Sequence, residues 1–483
     1  MKLPILSLCL LASLTACGRP KQAATKTPAP AQPKPAPRVD PDVMLFAGEV
    51  ATPGTPLPFA IELLRSKDGY GGKIQLPTQG ARDLPLTDVV VSAERIEFGI
   101  AQVGAKWSVT RDANGEPSAC SFAQGPAKLE CTMAAVDAKA YQAINTPKRP
   151  QEPKPPFEYD AIEVTYENAA GGVKMAGTLT VPPGAGPFPV ALLITGSGVQ
   201  DRDESILGHK PFWVIADHLA RNGIAALRVD DRGIGGSTGD PAAATTEDFV
   251  GDALAGVAFL ATQARIDPKR IGLIGHSEGG LVAPAAAARS KQVAFVVMLA
   301  GPGVSGAVLL PKQVERLLQS SAVPEAQVAE AVAQQTAIMK IVAGKQDDAT
   351  ARKQLTALLS AVPDTDADVL ASEIDRLMSP WFRNFAKYDP APALAKVKVP
   401  MLALNGDLDV QVDAVQNTSA ITKATKRNRK VTVERMPGLN HLFQHAQTGG
   451  VAEYSAIEET IAPEVLERIT TWIRETTSAP RKP

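Results

Sequence analysis

Residues 275–279 read Gly-His-Ser-Glu-Gly, a G-x-S-x-G pattern. It directly follows the apolar run Ile271-Gly272-Leu273-Ile274 and directly precedes an Ala-rich stretch of helical character. A serine on so short a strand-to-helix connection sits on a strained turn, with glycines where the backbone must approach its neighbours closely. The Ser277 hydroxyl then stands clear of the sheet at a helix start, where the Glu278 amide can receive an oxyanion. A serine hydroxyl is a weak nucleophile until a base takes its proton, and the base needs an acid that orients it. The chain has five histidines. His276 adjoins the serine, His209 and His218 precede it, and His441 and His445 lie in the loop after the run Val431-Thr432-Val433. His441, in Pro437-Gly438-Leu439-Asn440-His441, has the more turn-like setting of the last two. Two carboxylates follow the run Pro400–Leu404, in Asn405-Gly406-Asp407-Leu408-Asp409. Both stand at the carboxyl end of a strand, where sites in α/β sheets assemble. The chemistry these residues would perform together is acyl transfer through serine.

The elements that would position them begin near residue 157. Ala161–Tyr166 and Ala176–Val181 read as a hairpin, and Pro189–Ile194 is continuously apolar, as in a strand buried on both faces. Phe212–Arg221 reads as a helix and Ile224–Val229 as a strand. Thr246–Ala264 reads as a helix with Glu247 and Asp248 in its first turn. Ala294–Leu299, Pro400–Leu404 and Val431–Val433 are further buried strands. This alternation predicts an α/β domain over 157–480 with a mostly parallel sheet and helices on both faces. From about 302 to 390 the alternation gives way to helical sequence rich in Ala, Gln, Glu and Leu, a candidate cap over the sheet.

Residues 43–150 contain several short alternating runs, among them Lys73–Leu76, Asp88–Phe98 and Lys106–Val109, broken by turn sequences such as Asp112-Ala113-Asn114-Gly115. They predict a small all-β domain, a barrel or sandwich. It holds no histidine and no catalytic cluster. The Pro-rich stretch Pro147–Pro156 marks its end. Residues 17–42 are rich in Pro, Ala and Lys and read as an extended tether. Residues 1–16 have a short positive start at Lys2 and an apolar run Leu3–Leu14 too short to span a bilayer, the shape of a signal peptide.

With 50 basic and 51 acidic residues and only 5% aromatics, the chain has neither the basic surface nor the stacking residues that nucleic acid requires. No P-loop or dinucleotide fingerprint is present in the sequence, and the reading calls for neither cofactor nor metal.

Two resemblances sharpen these readings. Leu14-Thr15-Ala16-Cys17 resembles the lipobox of bacterial lipoproteins. It implies cleavage before Cys17 and acylation of that residue, which would hold the protein to a membrane of the cell envelope. Gly18, in place of an acidic retention signal, implies the periplasmic side of the outer membrane in a double-membraned bacterium. In such an oxidising compartment Cys120 and Cys131 are expected to pair as a disulfide, with two buried thiols as the alternative. Residues 157–480 resemble the α/β-hydrolase superfamily in motif order, spacing and strand pattern. The loops Gly196–Asp203 and Pro437–Phe443 are similar to those of a bacterial branch of esterases and serine aminopeptidase-like hydrolases, whose members often carry a β-rich N-terminal domain.

The resemblance implies the chain order Ser, Asp, His, which favours His441 as base and sets His209 and His218 aside. It favours Asp409 over Asp407, because the acid in this superfamily commonly falls three residues after the strand-end glycine. It implies a second oxyanion donor in Thr195-Gly196-Ser197-Gly198, the Ser197 amide or alternatively that of Gly198, beside the Glu278 amide. Thr195 departs from the family's usual histidine. Asp201, Arg202 and Asp203 read equally as pocket lining and as an ion-pair brace, and Gly233, Gly235 and Gly236 as turn requirements. The expected activity is hydrolysis of a small-molecule carboxylic ester. Amide or peptide hydrolysis is the alternative within the class, and a catalytically inactive binding protein on the same fold the alternative outside it.

Overall fold

The computed structural model describes residues 42–478 apart from 53–55, 68, 78–80, 126, 146–147 and 361–366. The expected leader, Cys17 and the expected tether up to residue 41 lie outside the described residues. The chain divides into two compact units, Pro150–Val451 with Glu459 onward, and the residues up to Arg149 with Ala452–Glu458.

The first unit is built on nine strands. They are β1 (Val43–Val50), β2 (Leu57–Ser66), β3 (Gly69–Leu76), β4 (Ala81–Pro85) and β5 (Thr87–Val91), then β6 (Arg95–Ile100), β7 (Ala105–Arg111), β8 (Pro117–Gln124) and β9 (Ala127–Ala135). Their order is β4-β3-β2-β1-β9-β8-β7-β6-β5. The two edge strands, β4 and β5, are consecutive in the chain, and the Leu86 amide between them donates to Gly72 O of β3 at 3.0 Å, extending the β3–β4 pairing. Alternation sets its core. In β7, Ala105, Trp107 and Val109 are buried while Lys106, Ser108 and Thr110 are exposed. Trp107 stacks on Phe98 at 5.2 Å and meets Phe122 edge-on at 4.8 Å. The run 88–98, expected as one strand, is broken into β5 and β6 because Ser92 Oγ accepts the amides of Glu94 and Arg95 in a tight turn. Cys120 and Cys131 sit directly opposite each other in β8 and β9 and are joined as a disulfide.

The second unit carries the other eight strands. They are β10 (Asp160–Asn168), β11 (Val173–Val181), β12 (Phe188–Ile194), β13 (Ala225–Val229), β14 (Ile266–His276), β15 (Val293–Leu299), β16 (Met401–Gly406) and β17 (Val431–Met436). Their order is β10-β11-β13-β12-β14-β15-β16-β17. β11 runs against both its neighbours, and every pairing from β13 to β17 is parallel. Successive side chains point to opposite faces, so each strand feeds two cores. Leu192, Leu273 and Val296 pack with Val250 and Val257 of helix Thr246–Leu260 and with Val282 and Ala286 of helix Gly279–Arg289. Leu193, Ile274 and Val297 pack with Ile215 and Leu219 of helix Pro211–Arg221 and with Ile469 and Ile473 of helix Pro463–Ser478.

Helix Thr246–Leu260 begins at a capping box, with Thr245 and Asp248 satisfying each other's orphan amides. It ends four residues before the expected Ala264, where Thr262 Oγ1 donates to Phe259 O and the chain turns towards β14. Between β15 and β16 lie the helices Gly306–Ser320, Glu325–Val342, Asp348–Leu359, Ala367–Leu377, Pro380–Lys387 and Ala391–Leu394. They have a core of their own, including Met339, Leu355, Leu377 and Phe382.

Candidate active site

Ser277 follows β14 directly and precedes helix Gly279–Arg289 by one residue. Its backbone is left-handed, with φ 52°, a strained state for a residue with a side chain. The flanking glycines make the turn possible. A Cβ on Gly275 would lie 2.0 Å from Gly279 O, and one on Gly279 would lie 2.2 Å from Ile194 O. The Ser277 amide donates to Leu299 O at 2.9 Å, which ties the turn to β15.

The loop after β12 lies against this turn, because a Cβ on Gly196 would meet Ser277 Cβ at 3.1 Å. Two of its residues are fixed by carboxyls, those of half-buried Asp231 and buried Glu204. Thr195 Oγ1 donates to Asp231 Oδ1 at 2.7 Å, and the Gly196 amide donates to Glu204 Oε1 at 2.7 Å. Among the described residues, neither the Ser197 amide nor the Glu278 amide donates to a protein group. Both are therefore available to an incoming oxygen. A cavity of about 50 Å³ lies behind the loop, lined by Thr195, Gly196, Asp231, Phe249, Glu278 and Val282, room for a water or two and far below the size of a substrate pocket.

His441 is buried, and its Nδ1 lies 2.8 Å from Asp409 Oδ2. A carboxylate can only accept, so Nδ1 carries the hydrogen and Nε2 is left with its lone pair. Asp409 is fully buried and receives three further donors, the amides of Gln411 and Val412 at 2.8 Å each and Asn405 Nδ2 at 3.1 Å. Asp407 is not part of this pair. Its Oδ1 accepts the Gly438 amide at 2.7 Å and so braces the turn that leads to His441. His445 is exposed and pairs with Glu459 and Glu464. His209 is buried between Thr460 and Gln444, and His218 contacts Asn222.

His276 joins these parts. Its ring lies 4.8 Å from that of His441, its Nδ1 is 2.9 Å from Glu204 Oε1, and its Nε2 is 3.1 Å from His441 O. Burial lowers the His276 pKa, but the charge and hydrogen bond of Glu204 and the His441 carbonyl outweigh it and raise the value. Glu204 therefore holds both the Gly196 amide and the residue preceding Ser277. Sequence reasoning passed over it, since it ends the charged run Asp201-Arg202-Asp203-Glu204 and nothing in its spacing separates it from the others. Those others form the ion-pair brace. Arg202 bonds Asp230 and Glu163, Asp203 pairs with Arg228, and Asp201 Oδ1 accepts the amides of Asp203 and Ser205. Gly233 and Gly235 have φ of 74° and 53°, and a Cβ on Gly235 would lie 2.2 Å from Asp230 Oδ2. They are turn residues.

A strained serine between strand and helix thus directly follows His276, whose ring lies 4.8 Å from that of His441 in the buried His441–Asp409 pair. The family model of serine aminopeptidase, S33, matches residues 212–446, a span that includes Ser277, Asp409 and His441. Esterase EstD of Thermotoga maritima is 31% identical over 271 residues, 56% of this chain and 58% of that protein. The chain thus spans little more than half the length of that relative. Among solved structures, an esterase of Pyrococcus furiosus is 20% identical with a TM-score of 0.40, covering 66% of this chain and 91% of its own. Est1E from Butyrivibrio proteoclasticus is 18% identical with a TM-score of 0.40, covering 66% of this chain and 99% of its own. The sequence matches fall on hydrolases.

Proposed function

We propose that this chain is a serine hydrolase of the α/β-hydrolase type that cleaves carboxylic esters, with Ser277 as nucleophile, His441 as base and Asp409 as the acid that orients it. The observation that carries the reading is the approach of the His441–Asp409 pair to the turn after β14. Ser277 is held at φ 52°, the ring of the preceding His276 lies 4.8 Å from that of His441, and His441 is bonded to Asp409 at 2.8 Å.

His441 Nε2 takes the Ser277 proton as Oγ forms a bond to the ester carbonyl carbon. The negative charge that develops on the carbonyl oxygen is received by the amides of Ser197 and Glu278. The tetrahedral intermediate collapses, the carbon–alkoxy bond breaks, and the imidazolium returns its proton to the departing alcohol. Water repeats the sequence on the acyl-enzyme and frees the acid. Asp409 stays ionised and stabilises the imidazolium. The helices between β15 and β16 act as a cap at the carboxyl edge of the sheet. Cys17 carries the lipid that anchors the protein in the cell envelope, on the periplasmic side of the outer membrane in a double-membraned bacterium.

Amide hydrolysis is the second reading, favoured by the description of the matching family as a serine aminopeptidase. A panel of aryl esters of graded acyl length, run beside aminoacyl anilides, separates the two. The ester reading expects turnover of the short aryl esters that is lost in Ser277→Ala. Cleavage of the anilides alone would transfer the assignment to the peptidase reading.

A further inference from the structure

Glu278 offers its amide at the turn, but its side chain has an environment of its own. The residue is buried, and among the described residues no cation pairs with its carboxylate. The carboxylate is held by neutral donors. Thr246 Oγ1 reaches Oε1 at 2.8 Å, and Trp381 Nε1 reaches Oε2 at 3.0 Å and Oε1 at 3.2 Å. Burial pushes its pKa up, against hydrogen bonding from Thr246, Trp381 and Ser197. Packing alone would be served at lower cost by an aliphatic side chain, because a buried carboxylate without a counter-ion is expensive.

Trp381 belongs to helix Pro380–Lys387 of the insert. Its ring stacks on Phe385 at 5.6 Å with an 18° tilt. Phe385 is buried with Leu309 of the insert, Leu281 of the helix that follows Ser277, and Val412, whose amide binds Asp409. One apolar cluster therefore joins the insert to both the serine turn and the acid loop. At its edge stands one polar link from the insert to the residue after the nucleophile.

We propose that Glu278 is a positioning residue that latches the helical insert, through Trp381, to the oxyanion-binding amides, so that turnover depends on how the insert is seated. The inference rests on the serine hydrolase reading above. An oxyanion donor must be placed within tenths of an ångström of the developing charge. The Glu278 amide and carboxylate share one Cα, so a displacement of Trp381 is transmitted to the amide.

Trp381→Phe removes the indole N–H and keeps an aromatic ring on Phe385, while Glu278→Gln removes the charge and one acceptor. With a short aryl ester, each variant is expected to lose roughly tenfold in kcat with KM within about twofold, the pattern of an interaction felt in the transition state. Because both act through one link, the double variant should be no slower than the slower single. Melting temperatures and the rate of Ser277 labelling by a fluorophosphonate are read on the same samples. Trp381→Phe that folds like wild type and keeps its kcat and labelling rate overturns the latch. So does a double variant whose losses multiply. Wild-type protein that fails to label overturns the hydrolase reading instead, a result separable from a labelled wild type with an equally fast Trp381→Phe.

Discussion

At Asp409 four donors converge on one buried carboxylate, the His441 ring among them, whereas Asp407, two residues earlier, spends its Oδ1 on the Gly438 amide. Asp409→Asn should therefore cost roughly 10⁴-fold in kcat, since an amide in this place favours the wrong imidazole tautomer. Asp407→Asn keeps an oxygen for Gly438 and should turn over ester at close to the wild-type rate. Steady-state kinetics on the two proteins checks this, and equal losses would contradict the assignment. Asp231 gives a prediction in pH. Burial raises its pKa to about 8, with Glu204 and Glu278 adding to the rise against its bonds from Thr195 and Gln200. A carboxyl near 3.9 when unfolded and about 8 when folded binds its proton more tightly in the folded state. Its contribution is fully present below the unfolded value and is lost as pH rises through the folded one. Melting curves from pH 4 to 9 should show wild type losing stability relative to Asp231→Asn as pH rises, with the difference levelling above about 8. A pH-independent difference would contradict it.

Among the elements, the strand-to-helix turn at Ser277 was the most legible in sequence, because its glycines answer a backbone demand that few other residues meet. Gly279 makes the point. Its missing Cβ leaves room for Ile194 O, which would otherwise lie 2.2 Å away. Gly279→Ala should push the end of β12 and the loop behind it aside, at a cost of about 1–3 kcal/mol in stability, with turnover falling as the loop amides move. Thermal unfolding and kinetics on the purified variant check both. The buried strands were legible for a similar reason, since a strand covered on both faces reads as an apolar run, as Pro189–Ile194 does. The acidic supports were not. Glu204 and Glu278 look like surface charges in sequence, and only the packed site gives them partners 72, 103 and 32 residues away in His276, Trp381 and Thr246. Ser92 hid a strand break in the same way, through a side-chain bond that hydropathy does not register.

Over the whole molecule, residues 1–42 are proposed to form the leader, lipid anchor and tether. If Cys17 carries the anchor, Cys17→Ser should move the protein from the membrane pellet to the soluble fraction while the ester activity per molecule is kept. Labelled palmitate should enter wild type and not the variant. With 50 basic and 51 acidic residues, net charge alone would not keep the Cys17→Ser variant on an anionic membrane. The proposed chemistry requires Ser277 to be an activated nucleophile. The most direct measurement of this is mass spectrometry of the fluorophosphonate-treated protein, run on wild type, Ser277→Ala and His441→Ala. The account predicts a single adduct on the peptide containing Ser277 in wild type, none in Ser277→Ala, and labelling slowed by several orders of magnitude in His441→Ala. An adduct that persists in Ser277→Ala, or a rate unchanged in His441→Ala, would contradict it.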